Sequence, residues 1–112
     1  MDLSHEVSNG LLVVRPKSRI DSGTAASFET QCAALLEKGP HKIVIDLSEV
    51  DYVSSAGLRA LLIAAKKAKS LGGALTLCGL RGSVSEVMAV SGFDAMLGAH
   101  PGVEEAAAAL AG

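Results

Sequence analysis

The sequence predicts an α/β fold, a mixed and mostly parallel sheet covered by helices in the order β-β-α-β-α-β-α-β-α. Short apolar runs of strand length, Leu11–Val14, Lys42–Leu47 and Ala74–Cys78, alternate with stretches whose apolar residues recur every three or four positions. Leu11–Val14 and Ile43–Ile45 are continuously apolar, as strands covered on both faces require. Turn and cap residues punctuate the alternation at Asn9-Gly10, Gly39-Pro40, Gly72-Gly73 and Ser91-Gly92.

Each element has a local cause. Leu3, His5 and Val7 alternate with Ser4, Glu6 and Ser8, the period of a half-exposed strand, and Asn9-Gly10 suits a two-residue hairpin turn. Leu11–Val14 returns as a more buried partner, and pairing should loosen at Pro16, which has no N–H to donate. Asp21-Ser22 is the expected N-cap of a helix carrying Ala25, Phe28, Cys32, Leu35 and Leu36, stopped by Gly39-Pro40. Lys42–Leu47 reads as a central strand in which Asp46 needs a partner or an exposed end. After a short loop, a helix from about Ser55 to Leu71 presents a stripe at Leu58, Leu61, Leu62, Ala65 and Ala68, with Gly72-Gly73 as its left-handed cap. Ser83 and Glu86 have the spacing of a capping box for a helix facing inward at Val84, Val87 and Met88, and ending at Ser91-Gly92. Phe93–Leu97 is expected to add a short final strand. Pro101 and Glu104-Glu105 then introduce an alanine-rich helix, expected to be the least firmly docked element.

Composition narrows the function. A chain of 112 residues is expected to form one domain, spanning 1–112. Hydrophobic residues at 49% against 20% charged argue against disorder, and a net charge of −2 with 3% aromatic residues argues against nucleic-acid binding. Cys32 and Cys78 each lie inside an apolar run and read as buried thiols in a reducing compartment, with a disulfide left open. His5, His41 and His100 are scattered, so neither a metal cluster nor a cofactor site is expected. No signal peptide and no apolar run of bilayer length is visible, which points to a cytoplasmic protein without direct membrane insertion.

Ser54-Ser55-Ala56-Gly57 is the one stretch with chemical potential. It is not the nucleophile elbow of a hydrolase, since Val53 stands where the first glycine would be, and no histidine is placed as its base. No phosphate-binding loop occurs either, so catalysis by this chain is not expected. A serine before an apolar helical stripe can cap the helix, or it can carry a phosphate where backbone N–H groups point outward.

Ile43-Val44-Ile45-Asp46-Leu47, Val50, Tyr52 and Ser54-Ser55-Ala56-Gly57-Leu58 resemble the central signature of STAS domains, which sulfate transporters and bacterial anti-sigma-factor antagonists share. Ile20-Asp21 resembles the family's segment before its first helix, and Ser91-Gly92-Phe93 its turn after the third. The resemblance implies the STAS fold and an antagonist that binds an anti-sigma factor, itself an ATP- and Mg²⁺-using serine kinase. Binding would end on phosphorylation, and a PP2C-type phosphatase would reset the domain. Anchored on Gly57-Leu58, the resemblance implies Ser55 as the phosphoacceptor. Ser54 then falls where an aspartate is usual, Ala56 where a second hydroxyl residue is common, and Ser18 where a glycine is common. Partner contact is expected around Asp21, Ser54, Ser55, Ala56, Gly57, Arg59 and Ile63. Gly57 permits close backbone approach, by a kinase or by a neighbouring strand. Ile63 lies opposite the helix stripe in a basic face of Arg59, Lys66, Lys67 and Ser70, where it could serve as an apolar anchor. The alternative implied by the same resemblance is an unphosphorylated STAS subunit of a membrane lipid or solute transport complex, docking on its ATPase through this helix. A domain that itself binds a nucleotide or other small ligand is the third possibility, for which the sequence holds no pocket signature.

Overall fold

The computed structural model describes residues 1–111. Five strands form one sheet: β1 (Leu3–Ser8), β2 (Leu11–Pro16), β4 (Lys42–Asp46), β6 (Ala74–Cys78) and β7 (Ala99–His100), in the spatial order β1-β2-β4-β6-β7. β1 is antiparallel to β2 and every other pairing is parallel. Two strands absent from the sequence reading, β3 (Ser18–Ile20) and β5 (Val50–Val53), pair in parallel as a separate small sheet. The loop expected between Leu47 and Ser54 therefore contains a strand.

The consecutive apolar residues of the central strands are divided between two faces. Leu12, Val14, Ile43, Ile45, Leu75 and Leu77 pack under α1 (Ala25–Lys38), α2 (Ser55–Ser70) and α3 (Gly82–Ser91), through Phe28, Cys32, Leu36, Ala60, Leu61, Ala64, Val84 and Met88. Val13, Val44 and Cys78 face the other way, onto Ala106 of α5 (Val103–Ala111), with Val103 and Leu110 half-buried beside it. Asp46 has its partners: Arg15 reaches it at 3.3 Å, and it accepts the N–H of Ser48 at 3.0 Å. Glu6 binds the same guanidinium at 2.8 Å, and that hydrogen bond is the main reason the Arg15 pKa is raised further. Both cysteines are free and buried, and burial pushes each thiol up to about 12.

Several local expectations are corrected. β1 is exposed on both faces beyond Leu3, with Val7 59% exposed, because it is an edge strand lying outside the helices' cover. Its pairing does not loosen at Pro16: Leu3 stands opposite Pro16, and Lys17 N–H continues to the Asp2 carbonyl at 3.0 Å. Pro16 faces a ladder that has already ended on its other side, since β2–β4 pairing stops at Val14. Helix α1 starts at Ala25, with Thr24 rather than Asp21 or Ser22 at the cap position, because Asp21 is committed to a turn of its own. Its carbonyl accepts from Thr24 and Ala25, and its carboxylate from Gly23 N–H. The capping box at Ser83 and Glu86 does not form. Helix α3 begins at Gly82, and Ser83 Oγ donates instead to the Asp51 carbonyl at 3.0 Å, a tertiary bond that ties α3 to β5. Phe93–Leu97 is a helix, α4, not a strand. Phe93 and Leu97, four apart, both turn to the core, and the strand role passes to Ala99–His100 beside Leu77 and Cys78.

Ser18 occupies the position where the resemblance expects glycine, and it keeps the glycine conformation, with φ of 71°. Positive φ strains an L-residue by about 1 kcal/mol. Ser18→Gly is therefore expected to stabilise the protein by up to ~1 kcal/mol, offset in part by the freer unfolded chain. Urea denaturation checks this, and a loss of stability would contradict the strain.

Candidate functional site

Strand β5 delivers Ser54 and Ser55 to the start of α2. Ile20 stands beside Val53 in the parallel register of β3 and β5, and Ser54 N–H donates to the Ile20 carbonyl at 3.0 Å. The next residues of both strands, Asp21 and Ser54, thus lie side by side at one sheet end. Gly57 closes the junction. A Cβ built on it would fall onto the Ile20 carbonyl oxygen and within 2.9 Å of Val53 Cγ1. Of the two approaches expected at Gly57, the neighbouring strand's is realised within the chain.

The two serines are not equivalent. Ser54 is the N-cap: its backbone is extended, and its hydroxyl accepts from Gly57 N–H at 3.3 Å. Its carbonyl accepts from Leu58 N–H at 2.9 Å. A cap of this kind contributes about 1 kcal/mol. Ser55 is the first helical residue, is exposed, and has a hydroxyl outside the hydrogen bonds formed among the described residues. Since Ser54 satisfies Gly57 and Leu58, the N–H groups of Ser55 and Ala56 are the ones left at the positive end of a 16-residue helix. Negative charge placed on Ser55 would therefore meet free donors and a favourable dipole.

The other site candidates separate into three groups. Asp21 is half-buried and engaged, its carboxylate 3.0 Å from Arg19 Nε, while Arg19 lies over the Tyr52 ring with 4.9 Å to the centroid. Arg59 and Ile63 are exposed on the outer face of α2, Ile63 at 41%. Lys67 leaves that face, binding Glu37 of α1 at 2.9 Å and holding its carboxyl below the usual range. The buried stripe of α2 is also turned by about one position from the expected one. It runs Gly57, Ala60, Leu61, Ala64 and Ala68, with Leu58, Leu62 and Ala65 half-buried at its margins. Small residues bring the helix axis close to the sheet, and the leucines straddle the contact. Sequence reasoning missed Tyr52 as part of the surface and Val90, the latter 90% exposed on α3. Among the described residues no three His, Cys, Asp or Glu side chains gather as a metal site, and no helix is long and apolar enough to cross a membrane.

The fold, a mostly parallel sheet covered by helices, agrees with the comparisons to known proteins. The sequence matches the STAS domain family over residues 2–106, and the chain belongs to that family. Across nearly its whole length it is similar to BtrV of Bordetella bronchiseptica, a protein named as a candidate anti-sigma factor antagonist. The two are 38% identical over 110 residues, covering 98% of this chain and 95% of BtrV. Among solved structures, a candidate anti-sigma factor antagonist from Thermotoga maritima superposes with a TM-score of 0.90 at 21% identity, over 98% of this chain and 95% of that one. The Bacillus cell fate determinant SpoIIAA in its phosphorylated form gives a TM-score of 0.71 at 17% identity, over 95% of this chain and 96% of that one. At those identities the two structures bear on the fold alone.

Proposed function

We propose that this chain is a single-domain anti-sigma factor antagonist that works by partner switching. Unphosphorylated, it binds an anti-sigma factor that is also a serine kinase, through Ser55 and the outer face of α2, and so frees that regulator's other client. The kinase transfers the γ-phosphoryl group of ATP to Ser55 Oγ, breaking the β,γ phosphoanhydride bond so that ADP leaves, a base of the kinase takes the hydroxyl proton, and the interaction ends. A PP2C-type phosphatase restores the serine. In this circuit the domain is ligand and substrate, and the catalytic groups belong to its partners.

The observation that carries the reading is the division of labour between the serines. Ser54 is held by its cap, whereas Ser55 offers an exposed, unbonded hydroxyl beside two free N–H groups. The named relationship to BtrV supports the partner class. Incubation with the cognate anti-sigma kinase, ATP and Mg²⁺ is expected to place one phosphate on the peptide containing Ser55, and none on a Ser55→Ala protein, as read by mass spectrometry. Phosphate on Ser54, or labelling that persists in Ser55→Ala, would overturn the assignment.

A further inference from the structure

Helix α5 packs on the sheet face turned away from α1, α2 and α3, where it covers Val13, Val44 and Cys78. Beyond its first turn it carries no polar side chain. Residues 106–111 read Ala-Ala-Ala-Ala-Leu-Ala, of which Ala106 is buried while Ala108, Ala109 and Ala111 are exposed. A surface helix keeps a polar outer face, whereas a helix that is apolar all round is covered. On its β4, β6 and β7 side α5 meets the sheet, but toward the β1–β2 hairpin it leaves an open groove of ≈ 870 Å³. Leu11 and Val13 of β2 line that groove with Val103, Ala107 and Leu110 of α5.

The two ends of the groove carry opposite charge. Strand β7 ends beside Cys78, at the C-terminal end of the parallel strands, so α5 runs back toward their N-terminal ends. Its nine residues span about 13.5 Å, close to the ~13 Å from Asp46 back to Lys42 along β4. Glu6 and Glu104 therefore mark one end of the groove. Lys42 marks the other, beside the Asn9-Gly10 turn and the last turn of α5. Glu6 is held by Arg15, whereas Lys42 and Glu104 are exposed and form no ion pair among the described residues.

We propose that this groove is a dimer interface, filled by α5 of a second copy of the chain lying antiparallel to the first. The arrangement is two-fold symmetric, each helix occupying the other copy's groove. It brings Glu104 of each copy to Lys42 of the other and covers the exposed alanines with alanines. Side chains that small let the two helix axes approach to about 8 Å. A parallel pairing would set Glu104 against Glu104 and Lys42 against Lys42, so charge selects the antiparallel one. Because α2 lies on the opposite face of the sheet, Ser55 of each copy stays outside the contact. The dimer is thus independent of the Ser55 switch.

Lys42→Glu and Glu104→Lys test the pairing at two exposed residues, away from the core. In its own dimer each variant replaces two attractions with two repulsions. Mixed, the two variants restore both attractions with the charges exchanged. Sedimentation equilibrium of the wild-type protein is expected to show the 11.3 kDa chain associating reversibly to twice that mass. Each variant alone should give a dimer Kd at least about tenfold higher, and the equimolar mixture should return to within about threefold of wild type. Unchanged helix content by circular dichroism keeps folding apart from association. Wild-type protein that stays at 11.3 kDa up to roughly 1 mM would overturn the dimer. Single variants that associate as wild type, or a mixture as weak as its components, would overturn the interface.

Discussion

Gly57→Ala is expected to destabilise the protein by about 3 kcal/mol. The added carbon has no space, because the Ile20 carbonyl oxygen occupies its position and Val53 Cγ1 lies 2.9 Å away. The obstructing atom is backbone, so a rotamer change cannot relieve the clash. Either β3 or the first turn of α2 must move. Moving β3 breaks the Ser54-to-Ile20 hydrogen bond and the two-stranded pairing, while moving α2 withdraws Ala60 and Leu61 from the core. For a domain of this size the midpoint should fall by roughly 10–20 °C. Chemical denaturation measures it, and a loss below about 1 kcal/mol would mean that the junction is softer than its geometry requires. The same glycine also sets where Ser55 sits, so the phosphorylation rate should fall even where the variant remains folded.

This dependence explains why the candidate site stands out in the sequence while some of its surroundings do not. Periodicity identified the strands that alternate with long helices, because Ile43, Val44 and Ile45 need cover on both faces and α2 has one side that must face a sheet. The short serine-serine-alanine-glycine stretch stood out because it follows a strand and opens an apolar stripe. What the spacing could not supply was the partner of Gly57. Ile20 lies far away in sequence, and the pairing of β3 with β5 involves only a few residues with a shift between Ser18 and Arg19. Segments of that length carry too little pattern to be read locally.

The corrected caps have a related cause. Asp21, Ser83 and Glu86 have the right types and spacings for capping, yet Asp21 is drawn to Arg19 and Gly23, and Ser83 to the carbonyl of Asp51. Capping contributes about 1 kcal/mol, so one tertiary hydrogen bond of similar size is enough to redirect a side chain. Phe93–Leu97 was misread because a five-residue apolar segment suits either a strand or one helical turn. The exposure of Val90 is invisible in the sequence for another reason. An apolar residue on a predicted helix is assigned to the core until the packing leaves it outside.

Ser55→Asp is expected to weaken binding to the anti-sigma factor about a hundredfold while leaving the fold's stability within ~0.5 kcal/mol of wild type or slightly above it. Inside the domain the charge is accommodated. Ser55 is the first residue of α2, its side chain is exposed, and the free N–H groups of Ser55 and Ala56 with the helix dipole favour a carboxylate by about 0.3–1 kcal/mol. The Ser54 cap and the Ile20 bond are untouched, so no buried group loses a partner. At the interface the same charge has no such compensation. A carboxylate trapped unpaired against a desolvated partner surface costs roughly 2–5 kcal/mol, and about 2.8 kcal/mol corresponds to a hundredfold in Kd. The two halves of the result separate the explanations. A variant that binds poorly because it has unfolded would show a lowered midpoint, which would contradict local accommodation of the charge. A variant that is fully folded and binds as tightly as wild type would mean that Ser55 lies outside the contact, and the switch would lose its physical basis. Full stability with lost affinity is the outcome that the proposed switch at Ser55 requires.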